Sequence, residues 1–295
     1  MINTKIERIR DPFLIEENGV YYIYGTGVVK SWEDTGWICY KNTSGKLDGP
    51  WTQLEAPLYI KPEGAETNFW APEVHKYNGK FYMIATYYSS VTKHRGCSIL
   101  MADSPEGPFV EITNGYVTPK DWDAIDGTLY VDEDGQPWLV FVHEWTCTDD
   151  GIGRMSVAKL SEDLTHFVSE PVDLFRADAP SWSNHRVTDG CFMYKTKDNQ
   201  LLMIWSNIAD AGGYCVGIAR SKNGKVDGEW IQEDALLYSK DISGKHDGGH
   251  GMIFEDKNGK KYLVIHAPNR PCDECEETAI FVPVYEENGT LKCAL

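Results

Sequence analysis

One unit recurs five times along this chain, and few folds are built that way. Each copy opens with a polar or acidic residue and an apolar strand. It turns on an Asn-Gly-type pair and returns through a second strand dense in aromatics. The first copy is Asp11-Pro12-Phe13-Leu14-Ile15, turn Asn18-Gly19, Val20-Tyr21-Tyr22-Ile23-Tyr24. The second opens Ala71-Pro72-Glu73-Val74-His75 and turns at Asn78-Gly79. The third opens Asp126-Gly127-Thr128-Leu129-Tyr130 and turns at Asp134-Gly135. The fourth opens Asp189-Gly190-Cys191-Phe192-Met193 and turns at Asp198-Asn199, and the fifth opens His250-Gly251-Met252-Ile253-Phe254 and turns at Asn258-Gly259.

Asn-Gly and Asp-Gly between apolar runs are strong hairpin signals, because both central residues of a type I′ turn need positive φ. A third strand follows, as in Trp37-Ile38-Cys39-Tyr40 or Val216-Gly217-Ile218-Ala219. The opening residues fall at 11, 73, 126, 189 and 250, which leaves each copy room for four short strands and generous loops. This pattern predicts an all-β fold, a five-bladed β-propeller with four-stranded antiparallel blades around a central channel. The copies fill the chain, so one domain over 1–295 is expected. A β-sandwich has no reason to repeat its opening motif five times.

At one level of a propeller, equivalent residues converge on the axis. Aligned by their openings, those residues are Asp11, Glu73, Asp126, Asp189 and His250. Carboxylates gathered in this way raise one another's pKa and are costly to bury, which is tolerated chiefly at functional sites. Asp11 and Asp126 taken singly also read as turn caps; their shared register argues against that. Glycoside hydrolysis needs two carboxyl groups flanking the scissile bond, and a third nearby can hold the donor's proton in place.

Net charge is −17, which opposes nucleic acid and anionic membrane partners and suits a neutral substrate. No apolar run approaches the ~20 residues that span a bilayer. Met1–Arg10 lacks the apolar core of a signal peptide. A native Met1 implies a cytoplasmic protein; a removed leader implies a secreted or periplasmic one. Of eight cysteines, Cys39, Cys97, Cys191, Cys215 and Cys293 lie in or beside apolar runs and read as buried thiols. Cys272-Asp-Glu-Cys275 is a lone CxxC, short of the four ligands of a structural zinc site.

Four motifs together resemble glycoside hydrolase family 43. Arg10-Asp11-Pro12-Phe13 is similar to the family's general-base motif. Trp70-Ala71-Pro72-Glu73-Val74 is similar to its second-blade motif. Ile125-Asp126-Gly127-Thr128-Leu129 is similar to the motif of its pKa-modulating Asp, and Gly248-Gly249-His250-Gly251 to its fifth-blade motif. The resemblance implies an inverting hydrolase of an α-L-arabinofuranoside, β-D-xyloside or β-D-galactofuranoside. Its substrate would be a plant or microbial oligosaccharide. It implies Asp11 as base and Asp126 as modulator; Trp70, Glu73 and Glu144 are candidate substrate-binding residues. It implies no cofactor for the chemistry, with His250 helping to hold a central calcium or water. Calcium normally wants an oxygen-rich shell, so water would fill most of it.

One departure stands out. The family's acid is usually Glu in Glu-Gly-Pro, whereas this chain has Asp189-Gly190-Cys191, one methylene shorter. Three outcomes follow: Asp189 remains the acid, Glu144 replaces it, or hydrolysis is lost and the propeller only binds glycans. A retaining fructosidase-like propeller would need Asn-Asp-Pro, where this chain has Arg10-Asp11-Pro12. Trp70 reads equally as sugar platform or core aromatic, with Trp145, Trp182 and His185 as weaker candidates for substrate contact.

Overall fold

The computed structural model describes residues 1–30, 33–269 and 277–295. Cys272 and Cys275, and part of the loop 28–36, lie outside them. The described chain forms five antiparallel sheets arranged as propeller blades, four of four strands and one of five. The first strands of the blades are Ile9–Glu17, Ala65–Tyr77, Ala124–Val131, Asp189–Lys195 and Gly249–Glu255. Each contacts the first strand of its neighbours, so together they ring the axis. One short helix, Lys240–Ser243, interrupts the β structure.

The hairpins between first and second strands divide into two kinds. Asn18-Gly19 and Asn78-Gly79 are two-residue turns with positive φ at both positions, as the sequence predicts. The other three are five-residue loops in which only one residue has positive φ: Gly135, Asn199 or Gly259. A side chain at the start of each loop holds it. Asp132 Oδ1 accepts from Asp134 N and Gln136 N, Thr196 Oγ1 from Gln200 N, and Asp256 Oδ1 from Asn258 N and Lys260 N.

The fifth blade closes the ring with both ends of the chain. Thr278–Glu287 pairs with the N-terminal strand Ile2–Glu7 over its first half and with Thr290–Cys293 over its second. The sequence pattern did not reveal this closure, because Ile2–Glu7 belongs to no repeat.

Five hydrophobic clusters fill the five blade-to-blade interfaces. The second strands are buried on both faces, which is why they read as unbroken apolar runs rather than alternating ones. In Leu201–Ile208, Leu201, Met203 and Trp205 face the third blade while Leu202 and Ile204 face the fifth. Cys39, Cys97, Cys191 and Cys215 are buried as free thiols, and Cys293 is half-buried.

A feature hidden from the repeat alignment fixes the inner ring. In every blade the pairing of first and second strands slips at one equivalent level, and the second blade slips twice more nearer the start of its first strand. The equivalent slips lie between Arg10 and Phe13, Trp70 and Glu73, Ile125 and Thr128, Asp189 and Phe192, and Gly249 and Met252. The residue after the first of each pair has positive φ: Asp11, Ala71, Asp126, Gly190 and His250. These five bulge residues are the true equivalents. Glu73 lies two positions deeper, level with Phe13, Thr128, Phe192 and Met252. Asp189 lies one position earlier, level with Arg10, Trp70, Ile125 and Gly249. The register read from sequence is therefore corrected in two blades out of five.

The bulge amides bond across blade boundaries. Ala71 N donates to Thr26 Oγ1 (2.8 Å), Asp126 N to Thr86 Oγ1 (3.1 Å), His250 N to Ser206 Oγ (2.8 Å) and Asp11 N to His266 Nδ1 (3.2 Å). Thr26, Thr86, Ser206 and His266 occupy the same place in the second strands, opposite Arg10, Trp70, Asp189 and Gly249. In the third blade that place is Val142, opposite Ile125, and it has no acceptor to offer. There Gly190 N donates to Asp126 Oδ2 instead (3.0 Å).

Trp205 is fully buried, packs on Phe175 and Trp182, and donates its indole N–H to Gln232 Oε1. Truncation there opens a large cavity between two blades. Trp205→Ala is expected to lower unfolding free energy by ~3–5 kcal/mol, measured by urea denaturation.

Candidate active site

A cavity of about 420 Å³ opens where the inner ring meets solvent. Three bulge residues, Asp11, Asp126 and His250, line it. So do four residues from just before the bulges or beside them: Arg10, Trp70, Ile125 and Asp189. Thr26, Val28, Glu144, Trp145 and Arg186 complete the wall. The left-handed backbone is what allows residues on either side of each slip to reach one space. A regular strand would send neighbours to opposite faces.

The three aspartates have different surroundings. Asp11 Oδ2 accepts from Thr26 Oγ1 (2.7 Å), and Oδ1 lies 3.2 Å from His250 Nδ1. Burial pushes the Asp11 carboxyl up, but His250, Arg10 and Thr26 outweigh it and hold it below the usual range. Asp126 Oδ2 accepts the Gly190 amide and lies 3.5 Å from His250 Nδ1. Burial and the negative charge of Asp11 raise it to about 6 despite His250. Asp189 Oδ2 accepts from the Tyr214 hydroxyl (3.0 Å). Burial first, and then Asp126, push Asp189 well above the carboxylate range. His250 is opposed by burial, yet Asp11, Asp126 and Asp189 keep its pKa raised, which favours an imidazolium between two carboxylates. His266 is pushed down to about 3 by burial and by Arg10, so it is neutral and its Nδ1 accepts the Asp11 amide.

Gly190 is where the fourth blade departs from the acidic pattern. A Cβ there would sit 2.6–2.7 Å from Cγ and Cα of His250. The fourth carboxylate therefore comes from the residue before the bulge.

Glu144 follows the second strand of the third blade and is buried, and Arg95 Nε donates to its Oε2 (2.7 Å). The Arg95 guanidinium also lies 5.8 Å from the centroid of the Trp70 ring, so it links the two. Burial raises Glu144 and Arg95 opposes the rise. Glu73 does not line the cavity; its Oε2 meets His75 Nε2 at 2.8 Å one layer below. Trp145 lines the cavity, whereas Trp182 packs on Trp205 in the blade core and His185 is exposed and not part of the cavity wall. Among the described residues no three His, Cys, Asp or Glu side chains are grouped to hold a metal. The His250 Nδ1 is aimed at Asp11 and Asp126, and one imidazole is a poor start for an oxygen-rich calcium shell, so the side chains present do not fit a calcium site.

Sequence reasoning overlooked Tyr214, Arg95, Thr26 and Arg186. Tyr214 and Arg95 each begin a third strand, Tyr214–Ser221 and Arg95–Ala102. Third strands run parallel to first strands, so their starts lie at the cavity end. A polar or aromatic residue at that point was the available signal.

The axial cavity of this propeller gathers three aspartates, one pushed below and two above the usual carboxylate range, and such carboxyl groups are the kind that acid–base hydrolysis uses. The model of Glycosyl hydrolases family 43 matches residues 10–291, and the chain belongs to that family; it is a glycosidase. It is 25% identical to an extracellular exo-alpha-(1->5)-L-arabinofuranosidase of Cellvibrio japonicus, over 88% of this chain and 78% of that protein. It is 24% identical to an extracellular endo-alpha-(1->5)-L-arabinanase of Bacillus subtilis, over 87% of this chain but 55% of that protein. The crystal structure of an endo-arabinase from Bacteroides thetaiotaomicron superposes with a TM-score of 0.83 at 34% identity, covering 98% of this chain and 99% of that one. An endo-1,4-beta-xylanase structure from the same organism gives 0.79 at 25% identity, covering 100% and 97%. No helix of the described residues is long and apolar enough to cross a membrane.

The raised Asp126 has a consequence for stability. Between 3.8 and about 6 the folded chain holds a proton there that the unfolded chain has released, so stability falls as pH rises through that window. Asp126→Asn keeps an acceptor for Gly190 N and removes the buried charge. It is expected to stabilise the fold by ~2 kcal/mol above pH 6, a gain that fades towards pH 4, while activity falls. Urea midpoints measured across pH 4–8 check this.

Proposed function

We propose that the chain is an inverting glycosidase whose preferred bond is an α-L-arabinofuranoside of plant arabino-oligosaccharides, with Asp11 as base, Asp189 as acid and Asp126 as modulator. The observation that carries this reading is the opposite protonation tendency of Asp11 and Asp189 in one cavity. Asp11 takes a proton from water as that water attacks the anomeric carbon. Asp189 gives its proton to the leaving oxygen. Asp126, close to both through His250 and the Gly190 amide, keeps that proton in place by like-charge repulsion. Inversion requires the base and acid about 6.5–9.5 Å apart, with the water between.

Arabinan-directed names among the relatives favour the arabinofuranoside. A β-D-xyloside is the second reading, favoured by the xylanase likeness. A β-D-galactofuranoside has no such support. Glu144 is read as a substrate-binding residue rather than the acid, because the Arg95 guanidinium occupies one of its oxygens. Trp70, braced by the same Arg95, is the sugar platform. The propeller acts as a single catalytic domain. The Cellvibrio and Bacillus relatives are named as extracellular, which favours action outside the cytoplasm.

A panel of aryl α-L-arabinofuranosides, β-D-xylosides and β-D-galactofuranosides tests this on the wild type, Asp189→Asn and Glu144→Gln. Asp189→Asn is expected to lose at least about a hundredfold in kcat with poor leaving groups. Glu144→Gln is expected to raise KM more than it lowers kcat. An active Asp189→Asn beside a dead Glu144→Gln would move the acid to Glu144. Sugar binding without turnover of any glycoside would make the protein a lectin.

A further inference from the structure

We infer that Tyr214 is a positioning residue for the Asp189 carboxyl, and that Gly249 is small because the Tyr214 ring needs its space. The inference rests on the reading of Asp189 as the acid. The Tyr214 hydroxyl has one hydrogen, and it is donated to Asp189 Oδ2 at 3.0 Å. In a neutral carboxyl the oxygen that accepts such a bond is the carbonyl oxygen, so the acidic proton resides on Oδ1. Tyr214 thus selects which oxygen delivers the proton and removes the rotation about the terminal bond. An aspartate in place of the family's longer glutamate has least reach to spare, and a misplacement of about 1 Å costs on the order of a hundredfold in rate.

Tyr214 is itself braced from three sides. Its amide donates to Asp247 Oδ2 (3.4 Å), its carbonyl accepts from Gly248 N (3.2 Å), and its ring stacks on His266 with centroids 5.6 Å apart and planes 21° apart. His266 is the side chain that also accepts the Asp11 amide. One neutral imidazole therefore steadies the backbone of the base and the ring behind the acid. A Cβ on Gly249 would lie 2.6 Å from Tyr214 Cε1 and 2.8 Å from Ser206 Oγ, so any side chain there would displace the ring or Ser206.

The test uses the sugar that the panel above hydrolyses best, carried on leaving groups from 2,4-dinitrophenol to an alkyl alcohol. Tyr214→Phe keeps the ring and its stack and removes one oxygen. Its kcat is expected to stay within about twofold of wild type for dinitrophenyl, which needs no protonation. With the alkyl alcohol it is expected to fall about tenfold, the size of one hydrogen bond to a buried acid. The plot of log kcat against leaving-group pKa therefore steepens. Gly249→Ala, with the hydroxyl intact but the ring displaced, is expected to steepen it in the same way. Equal loss with every leaving group, or no loss with any, overturns the inference. If Asp189→Asn retains wild-type rates with poor leaving groups, the acid reading falls and takes the inference with it. A dead Asp189→Asn beside an unaltered Tyr214→Phe removes the inference alone.

Discussion

Five backbone amides hold this molecule's geometry at its axis. Each first strand slips its pairing at the same level, turns one residue into the left-handed region, and sends that residue's N–H to the neighbouring blade. A non-glycine residue in that region costs roughly 1–2 kcal/mol. Four of the five bulge residues accept this strain. The gain is that side chains before and at the slip face the same cavity, which a regular strand forbids. At the third blade Val142 cannot accept, and the carboxylate of Asp126 does so instead. A side chain read as catalytic thus also completes the structural ring.

The electrostatics follow from that crowding. Three buried aspartates converge, and each resolves the conflict differently. Asp11 is compensated by His250, Arg10 and Thr26 and stays ionised. Asp189 has a single hydroxyl donor, and burial and Asp126 push it well above the carboxylate range. Asp126 shares His250 with Asp11 and falls between them. Burial of this kind opposes folding, and the interfaces between blades offset it. Trp205, Phe141 and Phe281 are among the fully buried side chains there, each stabilising by ~1.5–3 kcal/mol or more.

Much of this was legible in the chain itself. Asn18-Gly19 and Asn78-Gly79 announce their hairpins because such pairs readily adopt positive φ twice in succession. Asp134-Gly135 resembles them but sits in a longer loop, since Asp132 captures two amides and lengthens the turn. Asp11, Asp126 and His250 were found because they are polar where the repeat is otherwise apolar. Glu73 was misaligned for the same reason. It is the nearest acid to the bulge in its blade, but Ala71 occupies the bulge itself. The extra residue of a bulge leaves no mark on a pattern that is apolar on both sides.

The sequence by itself determined the number of blades, the order of strands within each repeat and the chemical type of the inner ring. All of these rest on local turn chemistry and on a repeated apolar pattern, which short-range physics dictates. Only the tertiary structure decided the level at which each strand slips, that Tyr214 meets Asp189, and that Ile2–Glu7 seals the last blade. Each of those depends on a contact between residues far apart in the chain. Asp189 shows the division most plainly: its identity is written in the fourth repeat, but its raised pKa depends on its burial and on Asp126, 63 residues earlier.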